Sequence, residues 1–231
     1  MDSSSIGNMQ DGIYHLRGNS ITSLMEEGDW LGTIAWTLLG RALVDHERPL
    51  ISACLIASVD HGMAPPSAQV TRIIASSGKP LADSVAGGVL TFGPRHGNAA
   101  SAASLWLRQQ LTEGREVKEA VRLALEKGGR LMGFGHPEYE IDPRTQTLAT
   151  MARKTLPACP HMEYALRISE ELTIQKGKPL PLNVDGAIGA VMADLAWPAE
   201  LADALFLISR VVGLSAHASE EMTTAKTYRR K

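Results

Sequence analysis

Two histidines and one aspartate sit in three short segments whose residue types suit proton transfer beside a carbonyl. His96 lies in Gly93-Pro94-Arg95-His96-Gly97, His136 in Gly133-Phe134-Gly135-His136-Pro137, and Asp185 in Asn183-Val184-Asp185-Gly186. Proline removes a backbone donor and glycine opens dihedrals closed to other residues, so both imidazoles are expected in turns or at helix starts. A helix N-terminus favours neutral imidazole, which still donates one hydrogen bond and can hold a developing enolate oxygen. The competing reading of His96 is a helix cap. Asp185 acts as a base if burial raises its pKa, or is an ordinary N-cap if it does not.

Cationic residues lie where they can serve an anionic ligand. Asp142-Pro143-Arg144 puts a guanidinium at a helix start shortly after His136, and arginine grips a carboxylate with two parallel hydrogen bonds. The alternative is an Asp142 cap with a surface Arg144. Arg72 and Arg210 fall inside apolar helical stretches. Each needs a partner there, either a ligand carboxylate or a structural acid. His61, in Val59-Asp60-His61-Gly62, ends an apolar helix as a ligand contact or a cap.

Other chemistries fit poorly. The chain has no GxSxG elbow, no phosphate-binding P-loop, no GxGxxG after a strand and no HExxH. His61, His96, His136 and Asp185 lack helical ligand spacing, so no metal is expected. The net charge of -2 argues against a nucleic-acid surface. Cys54 and Cys159 have no CxxC partner and read as reduced thiols, which suits a cytoplasmic protein. The N-terminus lacks the pattern of a signal peptide, and no apolar run reaches the roughly 20 residues of a membrane span.

The elements that must position these residues are helices. The 231 residues are 44% hydrophobic and 21% charged, enough for a packed core. From Val117 to Leu125, apolar residues recur at helical spacing with charges opposite, and Gly128-Gly129 ends the run. A second clear helix starts near Pro198 and runs to about Met222. Further helices are expected near 31–45, 49–60, 66–77, 80–91, 98–112, 144–155, 162–175 and 186–196. No alternating strand pattern with hairpin signals stands out, so a large sheet is not expected. Small residues such as Ala86-Gly87-Gly88 and Gly97 to Ala103 suit close helix crossings, or simply good helix propensity.

Taken in order, these segments resemble the citrate synthase family from about Arg17 onward. Arg17-Gly18-Asn19 with Leu24 and Trp30 is similar to the family's "RGY…L" entry segment, and Asp60-His61 to its "DHE/DHG" element. Gly93 to Gly97 resembles "GPLHG", Gly133 to Arg144 "GFGHxxY…DPR", and Asn183-Val184-Asp185 "NVD". Ser209 to Gly213 with Ala216-His217 and Glu220-Glu221 resembles "ARTVGW-AHWxEE". The short length and the Asp60 to Ser67 stretch look like the citryl-CoA lyase branch, including the C-terminal part of ATP-citrate lyases. The chain departs from the family pattern at Arg95, Asn98 and Pro137, and the His136–Arg144 interval is one residue short.

The resemblance implies an all-α homodimer. Its large domain would hold residues 1–96 and 191–231, its small domain 97–190, with a cleft between them. It implies making or breaking the carbon–carbon bond between acetyl-CoA and oxaloacetate through an enol or enolate. The substrates would be oxaloacetate or citrate and a coenzyme A thioester, acetyl-CoA or citryl-CoA, with no metal. Asp185 would take the methyl proton, His96 would hold the thioester oxygen, and His136 would polarise the ketone. His61, Arg72, Arg144 and Arg210 would bind the oxo-acid. Arg230, or Arg229, is the candidate for the family's C-terminal arginine, which reaches into the partner's site. Leu131, Met132, Gly133 and Phe134 would lie against the CoA adenine. A partner subunit is a further expectation. The rival is a non-catalytic family member that binds CoA or a partner.

Overall fold

The computed structural model describes residues 4–93, 96–126, 128 and 131–224. Packing divides the chain into two compact units, Met1–Ser52 and Ala53–Lys231. The first opens with a small antiparallel meander, β1 (Gly7–Gln10), β2 (Ile13–Leu16) and β3 (Asn19–Ser20). Its turns, Asp11-Gly12 and Arg17-Gly18, have positive φ at both residues, the twist a two-residue hairpin turn needs. The sequence reading missed these strands, although Asp-Gly is a strong hairpin signal. Helix α1 (Ile21–Glu27) and α2 (Trp30–Leu39) follow, and α2 is tied to the meander by Trp36 Nε1 donating to Leu16 O at 3.3 Å. The helix expected to run to residue 45 stops at Leu39 because Gly40 takes the left-handed conformation of a C-terminal cap.

Helix α3 (Glu47–Ser58) leads into the second unit, which is helical. Helices α4 (Pro66–Ser76), α5 (Leu81–Val89), α6 (Ala100–Thr112), α7 (Val117–Glu126), α8 (Pro143–Thr155), α9 (Pro160–Lys176), α10 (Val184–Asp194) and α11 (Glu200–Thr224) follow. All lie within a few residues of the expected ranges. The centre is α10, buried over nearly its whole length and packed on α6, α8, α9 and α11. Its Gly189 shows why small residues matter. A Cβ there would meet Ala100 O at 2.6 Å and Ser104 N at 2.9 Å, so α6 crosses directly over its backbone. Arg108 holds the far end of α10 by donating to Met192 O at 2.9 Å.

The 25-residue α11 is long and apolar enough to cross a membrane, but it packs as a core helix against α4, α5 and α6, with Arg210 and Glu221 buried on it. Ser209 Oγ bonds Leu55 O, and Arg210 Nε donates to Ser58 O at 2.9 Å. A Cβ on Gly213 would fall 2.1 Å from Val59 O. One face of α11 is therefore fixed to the end of α3 and to the loop that follows it.

Candidate active site

A cleft of about 870 Å³ opens in the second unit, and His61, His96, His136, Arg144, Asp185 and Arg210 all line it. One wall is the 131–137 loop laid against the start of α10. Gly133 O accepts from Asn183 N at 3.0 Å, and Gly135 N donates to Pro181 O at 2.7 Å. The Asn183 side chain caps α10 by accepting from Gly186 N at 3.1 Å, and its amide nitrogen donates to Gly135 O at 3.0 Å. The approach is so close that a Cβ on Gly186 would lie 2.3 Å from Gly133 O. Capping thus belongs to Asn183, and Asp185 stands half-buried in the first helical turn, facing the cleft.

The proton on His136 is fixed by the backbone around it. Its Nδ1 accepts from Glu138 N and Tyr139 N, each at 3.1 Å. A nitrogen that accepts twice carries no proton, so the neutral ring has its N–H at Nε2. That Nε2 is 3.5 Å from Arg144 Nη2. Both atoms are donors, so they do not satisfy each other, and a single oxygen placed against both could accept from each. Arg144 is held for this by Asp142, which accepts from its Nε at 2.9 Å and its Nη2 at 2.7 Å while capping α8 at Arg144 N, 3.0 Å away. Asp142 is thus the helix cap that one reading of Asp142-Pro143-Arg144 expected, while Arg144 lines the cleft instead of lying free on the surface. The His61 ring stands edge-on to His136 with centroids 5.1 Å apart.

Across the cleft, Gly93 and His96 exchange two backbone hydrogen bonds of 2.7 and 2.9 Å. His96 Nε2 lies 2.8 Å from Ser67 Oγ in the first turn of α4, and Phe92 packs edge-on against the ring at 5.5 Å. His96 caps nothing: α6 begins at Ala100 behind Ala99 with no side-chain cap. Arg210 is buried, with its guanidinium 4.7 Å over the Phe206 ring. Burial, reinforced by neighbouring cations, pulls His61 and His96 below the usual histidine pKa. Burial does the same for His136, with Asp142 opposing it. The cleft thus presents neutral imidazole donors beside permanent guanidinium charges.

A family profile described as citrate synthase, C-terminal domain, matches residues 5–231. The chain belongs to the citrate synthase family. Among its relatives, the ATP-citrate synthase beta chain protein 1 of Arabidopsis thaliana is 31% identical over 222 residues, 88% of this chain. The chain spans about a third of that relative's length, 36%. Of the solved structures, a citryl-CoA lyase from Hydrogenobacter thermophilus superposes with a TM-score of 0.91 at 35% identity, covering 100% of this chain and 91% of that one. An ATP citrate lyase from Methanosaeta concilii, an aspartate-to-alanine variant in complex with (3S)-citryl-CoA, gives 0.90 at 25% identity, covering 100% and 40%. The all-α architecture read from the sequence is the citrate synthase-like fold.

Most residues singled out from the family resemblance meet in the cleft. Leu131 and Phe134 line it, Gly133 shapes it through its backbone, and Met132 is not among its lining residues. Arg72 is the exception among the arginines. It lies outside the cleft, and its guanidinium pairs with Glu220 and with Glu221 at 2.7 Å, so its partner is a structural acid and not a ligand. Arg230 and Arg229 lie outside the described residues. The sequence reading missed Ser67, Phe206, Glu138, Lys176 and Lys178. Ser67 follows Pro65-Pro66 in a first helical turn, a position that reads as a cap. The two lysines flank Gly177, the left-handed cap of α9, where basic residues are ordinary.

Proposed function

We propose that this chain makes or breaks the carbon–carbon bond between the methyl carbon of acetyl-CoA and the ketone carbon of oxaloacetate. The observation that carries this is the pair of donors, His136 Nε2 and Arg144 Nη2, converging 3.5 Å apart. They suit the ketone oxygen of an oxo-acid, or the hydroxyl oxygen it becomes. In the forming direction, Asp185 removes a methyl proton and His96 hydrogen-bonds the thioester oxygen, where negative charge gathers. The enol carbon attacks the ketone carbon while His136 polarises the ketone oxygen. His61, Arg144 and Arg210 hold the carboxylates. Cleavage of citryl-CoA runs the same steps backward, with Asp185 returning the proton to carbon. Full-length similarity to a citryl-CoA lyase supports the cleaving direction. A relative described as a beta chain supports a partner subunit as well; for this chain we propose a homodimer, in a cytoplasmic setting, with Arg230 completing the partner's site. We also propose that 1–96 with 191–231 forms a large domain and 97–190 a small one.

The test is oxaloacetate formation from citryl-CoA, followed by coupled reduction, beside free-thiol release from acetyl-CoA plus oxaloacetate. Cleavage without thiol release indicates a lyase, and thiol release a synthase. Either activity should fall by about two to four orders of magnitude in Asp185→Ala, with CoA binding retained. Undiminished turnover in that variant would rule out Asp185 as the base. Binding of CoA without either activity in the parent chain would establish the non-catalytic alternative.

A further inference from the structure

We propose that Arg72 and His217 are positioning residues that hold His61 in the cleft by way of Asp60. This rests on the reading of His61 as a ligand of the oxo-acid. The order of hydrogen bonds follows from chemistry. A guanidinium only donates, so His217 Nδ1, 3.3 Å from Arg72 Nη1, is the acceptor. The neutral His217 ring then carries its proton on Nε2, which donates to Asp60 Oδ1 at 2.9 Å. The other Asp60 oxygen accepts from Gly62 N at 2.9 Å, across the peptide that follows His61. Asp60 therefore grips the backbone immediately beyond His61.

Arg72 is a firm origin for this chain. It is buried on α4 and bound to Glu220 and Glu221 of α11. Neither Arg72, His217 nor Asp60 lines the cleft, whereas His61 does, edge-on to His136. Gly62 has a φ of 70°, so the backbone beyond His61 turns sharply and needs a tether to hold one course. Fixing a ligand-binding side chain through partners behind it is the way a site keeps sub-ångström geometry. A purely structural tie between α4 and α11 would affect both substrates alike. A positioning chain ending at His61 affects the oxo-acid alone.

The experiment compares the parent chain, His217→Ala and His217→Gln. It reads oxaloacetate binding by calorimetry, KM for oxaloacetate and for acetyl-CoA, and kcat. His217→Ala should weaken oxaloacetate binding and raise its KM by about tenfold, while KM for acetyl-CoA stays within about twofold. Glutamine, whose amide N–H reaches toward Asp60, should restore most of the loss. Arg72→Lys keeps a charge against Glu220 and Glu221 but shortens the donor to His217, and should reproduce the oxaloacetate-specific effect even if His217→Ala fails to fold. Unchanged oxaloacetate binding in these variants, or equal weakening of both substrates, overturns the proposal and leaves the catalytic reading intact. A parent chain that binds no oxaloacetate overturns both.

Discussion

Gly186→Ala is the sharpest test of how the fold places Asp185, the proposed base. Alanine is the better helix former, so inside α10 the substitution should gain up to about 1 kcal/mol if nothing stood in the way. Something does: the new Cβ would lie 2.3 Å from Gly133 O, 2.6 Å from Leu182 Cδ1 and 3.0 Å from Gly133 C. An ordinary carbon–oxygen contact is about 3.3 Å, so the loop and helix must part by roughly 1 Å. Backbone cannot rotate away as a side-chain tip can. The expected overpacking cost is about 1–3 kcal/mol, which exceeds the propensity gain and lowers Tm by about 2–8 °C. Asp185 is the adjacent residue and His136 closes the same loop, so a shift of about 1 Å should cost about a hundredfold in kcat/KM. Gly87→Ala is the control, because the one close approach of its Cβ would be to the flexible Cδ1 tip of Ile74, at 2.1 Å, with Val70 Cγ1 and Ile74 Cγ1 at ordinary contact distances of 3.5 and 3.6 Å. Thermal unfolding and steady-state kinetics on both variants decide the matter. A Gly186→Ala chain as stable and active as Gly87→Ala would refute the close approach as the device that sets the base.

Other consequences follow from the same geometry. His61, His96 and His136 are all held below the usual histidine pKa of about 6.5, chiefly by burial. Their contribution to stability is therefore complete above about pH 6.5 and is lost as pH falls toward their folded pKa values, because the unfolded chain takes up protons first. Denaturant titrations from pH 8 to pH 5 should show this decline, and flat stability would contradict it. Arg144→Lys keeps a positive charge but loses the fork that Asp142 grips, so KM for the oxo-acid should rise about tenfold or more while KM for the CoA thioester holds. Asp194, fully buried, accepts from His161 N at 2.8 Å, His161 Nδ1 at 2.9 Å and Met162 N at 3.1 Å. Asp194→Ala should cost about 1–3 kcal/mol in chemical denaturation, with the cleft residues' kinetics unchanged once folded.

The sequence made the helices legible because most carry a strong period or a strong stop. The run from Val117 is amphipathic, and Gly177 ends α9 in the left-handed conformation that only glycine takes cheaply. The meander escaped notice because its strands are two to four residues long, and Tyr14 and Ile13 are exposed. Such strands bury too little to impose an alternating pattern. Six of the side chains singled out by type, His61, His96, His136, Arg144, Asp185 and Arg210, line one cleft. The site was not legible where a residue acts through geometry. Nothing in Arg72 announces that Glu220 and Glu221, far along the chain, take its charge. Nothing in Ser67 announces His96. Long-range pairing is decided by which helix faces meet, and one sequence does not show that.

The division of labour in the cleft explains why its histidines are neutral. In the proposed reaction, guanidinium groups at Arg144 and Arg210 would attract carboxylates that the substrate carries before, during and after reaction. Such contacts bind ground state and transition state alike and set affinity. In the same proposal His96 and His136 would face oxygens whose charge changes. If these imidazoles were already protonated, they would add to the uniform attraction and hold the reactants as tightly as the enolate. Neutral N–H donors gain most when the oxygen becomes negative, so their stabilisation appears at the point where the barrier lies. Burial supplies this at His96 and His136, and the two backbone amides on His136 Nδ1 make its choice of tautomer a property of the loop itself. The same amides would be lost to any rearrangement of Glu138 and Tyr139, so the loop that gives the ring its orientation also gives it its proton.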